Sequence, residues 1–141
     1  MLTRPVATLI RNQVLLTLPP QATVRVACQR MRERYVGSVL VTDERDHLLG
    51  IFTERDAVCR ILAESRDADR TTLAEVMTAD VVTVPPQAMA LEALRLMQDG
   101  GFRHVPVVAA RRLVGIVSFT DFRGMEHARL EEETQLFETV R

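Results

Sequence analysis

The segment Thr17-Leu-Pro-Pro-Gln-Ala22 returns 66 residues later as Thr83-Val-Pro-Pro-Gln-Ala88, with five of the six positions identical. The same offset places Ala27 on Ala93, Met31 on Met97, and Val39 and Val41 on Val105 and Val107. One residue is then lost, and at an offset of 65 Gly50-Ile-Phe-Thr-Glu-Arg-Asp56 overlays Gly115-Ile-Val-Ser-Phe-Thr-Asp121. The chain is a tandem duplication. A period of about 65 that occurs only twice describes two equivalent units, since a solenoid needs three or more.

Within each unit the apolar pattern changes period in the same order. A short strand, Val14 to Leu18 or Val81 to Val84, ends at the proline pair. A helix follows, with Val24, Ala27, Cys28 and Met31 at helical spacing behind a Thr23 N-cap, and Leu91, Leu94 and Met97 repeating the pattern before Gly100 and Gly101 end it. Two β-rich runs, Ser38 to Thr42 and Leu48 to Thr53, flank the polar segment Asp43 to His47 as a hairpin, which Val105 to Val108 and Leu113 to Ser118 copy. Each hairpin runs into a helix, from Glu54 to about Glu64 and from Phe119 onward. The unit is β-α-β-β-α. The polar stretch Glu64 to Thr72 is the crossing, with Leu73 to Met77 a short helix and Val6 to Ile10 its weaker counterpart. Met125 to Arg141 alternates acids and arginines around Leu130, Leu136, Phe137 and Val140, a pattern for an exposed helix with one narrow apolar seam.

At 141 residues, 47% apolar, 26% charged and a net charge of −1, the chain has the composition of a globular protein. All 18 cations are arginine, which excludes Schiff-base lysine chemistry and a P-loop ammonium. Two cysteines and no signal-like start predict a reducing compartment, hence a cytoplasmic protein. No apolar run reaches the ~18 residues of a membrane span, and near-neutral charge argues against binding a nucleic-acid duplex. Arg30, Arg32 and Arg34 read as a solvated helix face, interrupted by Glu33 and without an aromatic platform. Met31 and Met97 read as core, Cys28 and Cys59 as inert thiols on apolar helical positions, and His47 and His127 as facing water. Neither the histidines nor the cysteines have a metal-ligand spacing, so no metal site is expected.

The chemistry concentrates at Thr53-x-x-Asp56 and Ser118-x-x-Asp121, where a hydroxyl and a carboxylate meet a strand-to-helix junction twice. As a capping box this pattern stabilises a helix start by about 1 kcal/mol. The same groups also suit a nucleotide, with N–H groups and a hydroxyl for a phosphate and a carboxylate for a ribose diol. The two readings are compatible. Gly50 and Gly115 precede the junction by a strand's length and are expected to permit close backbone packing.

The doubled β-α-β-β-α order, the strand-Pro-Pro entry, the valine-rich hairpin and the repeated Gly-h-h-Thr/Ser-x-x-Asp resemble a pair of CBS domains, the cystathionine β-synthase or Bateman module, from about Val6 to about Gly124. The resemblance implies an α+β fold of two tandem units, 6–66 and 72–124, followed by a helical tail over 125–141. It implies that the units pack through their sheets about a pseudo-twofold axis, leaving clefts for adenosine nucleotides. On the family pattern Thr53 would meet phosphate and Asp56 ribose in one cleft, Ser118 and Asp121 in the other. Arg55 would add charge, Arg103 and His104 would face phosphate, and Thr17 and Thr83 would lie near the adenine. Gly37 and Ser38 stand where the second unit has Arg103 and His104, so the clefts are expected to be unequal, with one strong site.

The function implied is a sensor for AMP, ADP, ATP or a related ligand such as NAD or S-adenosylmethionine, acting on a regulated partner and assembling as a homodimer. No required cofactor, no catalysis and no membrane partner are expected. A ligand-free dimerisation or protein-docking module is the alternative, with Asp56 and Asp121 serving capping alone.

Overall fold

The proline pairs end strands because proline cannot donate to a ladder, and the computed structural model, which describes residues 4–122, places each pair at the exit of a short extended segment. Thr17–Leu18 forms β1. Its counterpart in the second repeat is a single parallel bridge between Val84 and Val107. Both segments are shorter than the expected Val14 to Leu18 and Val81 to Val84. Leu16 O still accepts from Leu40 N at 3.0 Å, but Val14 is 82% exposed and lies outside the strand.

Helix α1 (Val24–Arg34) starts where Thr23 Oγ1 accepts from Val26 N, and buries Val24, Ala27 and Met31. β2 (Ser38–Thr42) and β3 (Leu48–Thr53) pair antiparallel, with Ser38 opposite Thr53 and Val41 opposite Gly50, and β1 lies parallel to β2 with Thr17 opposite Leu40. β3 passes directly into α2 (Glu54–Asp56), which continues as a π-helix over Ala57–Leu62. α3 (Leu73–Val76) and α4 (Ala90–Gly100) follow, the latter closed by Gly101 at φ 70°. β4 (His104–Ala109) and β5 (Arg112–Ser118) form the second hairpin, and a 3₁₀ turn over Phe119–Asp121 takes the place of α2. The expected C-terminal helix over 125–141, and His127, lie outside the described residues.

The two compact units are not halves of the sequence. One comprises, among the described residues, 4–13, 82–109 and 114–122; the other comprises 14–81 and 110–113. The backbone explains the exchange. In the first unit Val6 N donates to Ala88 O at 2.7 Å and Ala7 N to Pro86 O at 2.9 Å. In the second, Leu73 N donates to Ala22 O and Ala74 N to Pro20 O, both at 2.9 Å. The segment that precedes each repeat therefore docks on the Pro-Pro-Gln-Ala exit of the other one, and the 3₁₀ turn Val6–Thr8 is the counterpart of α3.

Each unit has its own core. Val6, Leu91, Leu94, Met97, Val105, Val107 and Val117 fill one. Val24, Met31, Val39, Val41, Phe52, Ile61 and Leu73 fill the other. The strand glycines admit close neighbours, as expected. A Cβ on Gly50 would lie 2.6 Å from Met77 Sδ and 2.8 Å from Thr78 O, and one on Gly115 would lie 2.7 Å from Ile10. Beside Gly50, Ile51 and Thr78 exchange two backbone hydrogen bonds of 2.9 Å. Beside Gly115, the Gln13 side-chain amide imitates that backbone, donating to Ile116 O and accepting from Ile116 N at 2.8 Å each.

Candidate functional site

Thr53 leaves β3 in an extended conformation (φ −116°, ψ 166°) and turns its side chain onto the first helical turn. Asp56 N donates to Thr53 Oγ1 at 3.3 Å, and Asp56 Oδ2 accepts from Thr53 N at 2.9 Å and from Thr53 Oγ1 at 3.1 Å. One carboxylate oxygen is thus committed to the cap. The other, Oδ1, lies 3.4 Å from Arg60 Nε, and the Arg60 guanidinium also donates to Val76 O at 2.8 Å. Glu54 N donates to Gly37 O at 3.0 Å, which closes the corner across the sheet. Gly37, Ser38, Thr53 and Asp56 therefore share one end of the hairpin. Ser38, at 8% exposure, is withdrawn from solvent opposite Thr53, while Arg55 is exposed.

The second corner repeats the backbone plan with different side chains. Ser118 N donates to Asp121 Oδ2 at 2.7 Å, and Phe119 N donates to Arg103 O at 2.8 Å. The Arg103 guanidinium lies 4.5 Å from the centre of the Phe119 ring, a cation–π contact that keeps its charge at the corner. His104 is half-buried at the start of β4, and Arg4 donates to Asp121 O at 3.2 Å. Arg103, His104, Ser118 and Asp121 are brought together.

Thr17 is not at the first corner. It is exposed on β1 and lines an open groove of about 490 Å³ with Leu18, Pro19, Pro20, Gln21, Thr42, Asp43, Glu44 and Arg45. Thr83 is exposed beside Val84. At the turn of the first hairpin, backbone N–H groups of His47 and Arg45 hold the Asp43 carboxyl below its usual range, and His47 Nδ1 lies 3.1 Å from Asp43 Oδ2.

A hydroxyl-x-x-acid pattern is not by itself a ligand site. Thr72 and Glu75 form another such box at α3, with Thr72 N donating to Glu75 at 2.6 Å, and these hydrogen bonds draw the Glu75 carboxyl down. What distinguishes the two corners is their duplication at the same end of equivalent hairpins. The corners differ at Gly37 against Arg103, and also at a residue that the motif leaves as x, Glu54 against Phe119. The repeat alignment displays the second difference, although the hydroxyl-x-x-acid motif does not mark it. Arg60 and Arg4 also reach the corners without any motif to announce them.

The cysteines differ from expectation in one respect. Cys28 is half-buried and its thiol is pushed up by burial, but Cys59 is exposed, two residues from buried Ile61 and so on the opposite side of the helical segment. Among the described residues no group of three His, Cys, Asp or Glu could hold a metal ion, and no helix is long and apolar enough to cross a membrane.

Two repeats of an α+β unit, each ending its hairpin in a hydroxyl-and-carboxylate corner, define a tandem module. The profile of the CBS domain matches residues 3–63 and 73–126, and the chain belongs to that family. An uncharacterised protein of Methanopyrus kandleri is 34% identical over 132 residues, covering 91% of this chain and 67% of its own length. A CBS-domain structure from Burkholderia ambifaria, named for signal transduction, shares 31% identity at a TM-score of 0.78, covering 84% of this chain and 90% of that one. A CBS-domain protein of Pyrobaculum aerophilum, complexed with AMP, has the same fold at a TM-score of 0.81 and 24% identity, over 92% of this chain and 99% of that one. The chain spans about a fifth of the length of five Arabidopsis thaliana CBS-domain proteins that it also matches, and 58% of a sixth. CBS-pair proteins are in general regulatory modules and not enzymes.

Proposed function

We propose that the chain is a sensor that binds an adenosine nucleotide (AMP, ADP or ATP) at its hydroxyl-and-acid corners and passes a conformational signal to a regulated partner. The observation that carries this reading is the second corner, where Arg103, held against Phe119, stands with Ser118 and Asp121 at the end of one hairpin. A guanidinium supplies bidentate donors to a phosphate, and a carboxylate accepts from a ribose diol. Asp121 serves the cap through Oδ2, which leaves acceptor capacity on the same group. The complex of the Pyrobaculum protein with AMP supports adenosine ligands as a class for this fold. Thr53, Asp56 and Arg55 belong to the weaker corner, while Thr17, exposed on β1 away from that corner, and Thr83 are left out of the site.

A ligand favours the arrangement it binds better, and its differential affinity bounds the signal at the typical ~1 to 3 kcal/mol of coupling. Val58 and Leu62, 56% and 73% exposed at i and i+4 of the π-helical segment, give the homodimer an apolar surface to cover. The same pair favours the second reading, a dimerisation or docking module without ligand.

A thermal-shift panel of adenosine, AMP, ADP, ATP and GTP separates the two. Ligand at about 100 times its dissociation constant adds about 2.7 kcal/mol to the native state, so adenosine ligands should raise the melting temperature selectively. A flat panel contradicts the sensor and leaves the docking module.

A further inference from the structure

The two corners carry opposite charge at one equivalent place. In the second repeat the position before the hairpin is Arg103, whose guanidinium lies 4.5 Å over the Phe119 ring. In the first repeat that position is Gly37, and the residue equivalent to Phe119 is Glu54. The backbone bond joining these positions is kept in both, Glu54 N to Gly37 O at 3.0 Å and Phe119 N to Arg103 O at 2.8 Å. The side chains are therefore compared on a common frame. The Glu54 carboxylate lies against the glycine, so that a Cβ there would meet Oε1 at 2.8 Å. Where the second corner presents a fixed cation, the first presents a carboxylate.

The neighbouring arginines do not cancel that charge. Arg60 is engaged by Asp56 Oδ1 and by Val76 O. Arg55 follows Glu54 directly, and residues one apart on a helix do not face each other. Like charges brought together oppose binding even at a partly exposed site, while a neutral group at the same place is tolerated.

We infer that Glu54 is a specificity-determining residue, which makes the first corner a site for a nucleoside whose 5′ end carries no negative charge, neutral or cationic, while the second corner takes the phosphorylated form. This rests on the reading of both corners as adenosine sites. The module would then report two ligands of one chemical family and opposite charge.

Titration calorimetry of adenosine and AMP into the Asp121→Asn protein, in which the second corner's hold on AMP is weakened, reads the first corner. Adenosine should bind about tenfold more tightly than AMP, a difference of about 1.4 kcal/mol. Adding Glu54→Gln, which keeps the shape and removes the charge, should erase most of that preference. Adding Gly37→Arg with Glu54→Phe, which transplants the second corner's pair, should reverse it. The inference is overturned if AMP binds the Asp121→Asn protein as well as adenosine does, if Glu54→Gln leaves the ratio unchanged, or if that corner binds neither compound while the wild type binds AMP. A wild type that binds neither compound overturns the sensor reading itself, and this inference with it.

Discussion

Asp56 and Asp121 each do a structural job that can be separated from the proposed one by a one-atom change. Asparagine retains a carbonyl oxygen that can accept from the cap N–H, so Asp121→Asn should cost no more than about 1 kcal/mol of stability, the scale of a whole cap. The same change should weaken AMP binding at least tenfold, because a neutral amide accepts less strongly from a diol. Chemical denaturation and calorimetry on the same preparation check both halves. A loss of stability with unchanged affinity would leave Asp121 as a cap alone. The cysteines offer a second prediction. Exposed Cys59 should react with a thiol reagent at neutral pH in the native protein, while Cys28, whose thiol burial pushes up, should react much more slowly until the chain unfolds. Mass spectrometry of the modified peptides distinguishes them. From sequence both thiols read as buried, since periodicity places residue 59 on an apolar face of an α-helix. Ile61 takes the buried side of that segment, and Cys59, two residues or about 200° away, falls on the exposed side.

Strands and helices were legible where a local rule dominates. The valine-rich runs bounded by polar residues place β2 and β3 at the expected residues, Thr23 caps α1, and Gly101 closes α4 in the left-handed region. The entry strands were overestimated, because their length depends on how many residues of a neighbour they meet, which is a tertiary matter. Gln13 belongs to this scale as well. Its side-chain amide completes a backbone pairing in the second repeat, a role that no local pattern encodes. Gln13→Ala should cost about 1 to 3 kcal/mol by leaving both Ile116 groups unpaired, more than most surface changes, as urea denaturation would show. The α3 cap predicts a pH effect. Glu75 is drawn below its ordinary value of 4.5 by its Thr72 hydrogen bonds, so its contribution is present above that pH and is lost as pH falls through its lower folded value. Glu75→Gln should flatten the acid limb of the stability curve, with Asp43 and Asp69 maintaining the remainder. An acid limb identical to wild type would contradict the assignment.

Across the whole molecule, duplication was legible from the Pro-Pro-Gln-Ala recurrence, and the family from the doubled element order together with the repeated Gly-h-h-Thr/Ser-x-x-Asp. The exchange of leading segments was not. Val6 and Leu73 look like beginnings of their own repeats, yet each donates to the proline exit of the other one, a choice made by backbone hydrogen bonds between residues about 80 or 50 apart. The proposed sensor rests on the same duplication, with two corners of one plan and opposite side chains. The most direct measurement is an amide spectrum of the isotopically labelled protein titrated with AMP. The account predicts saturable shifts at Arg103, His104 and Ser118 through Asp121, larger than those at Gly37 and Thr53 through Asp56. An unchanged spectrum, or shifts confined to residues remote from both corners, would contradict it.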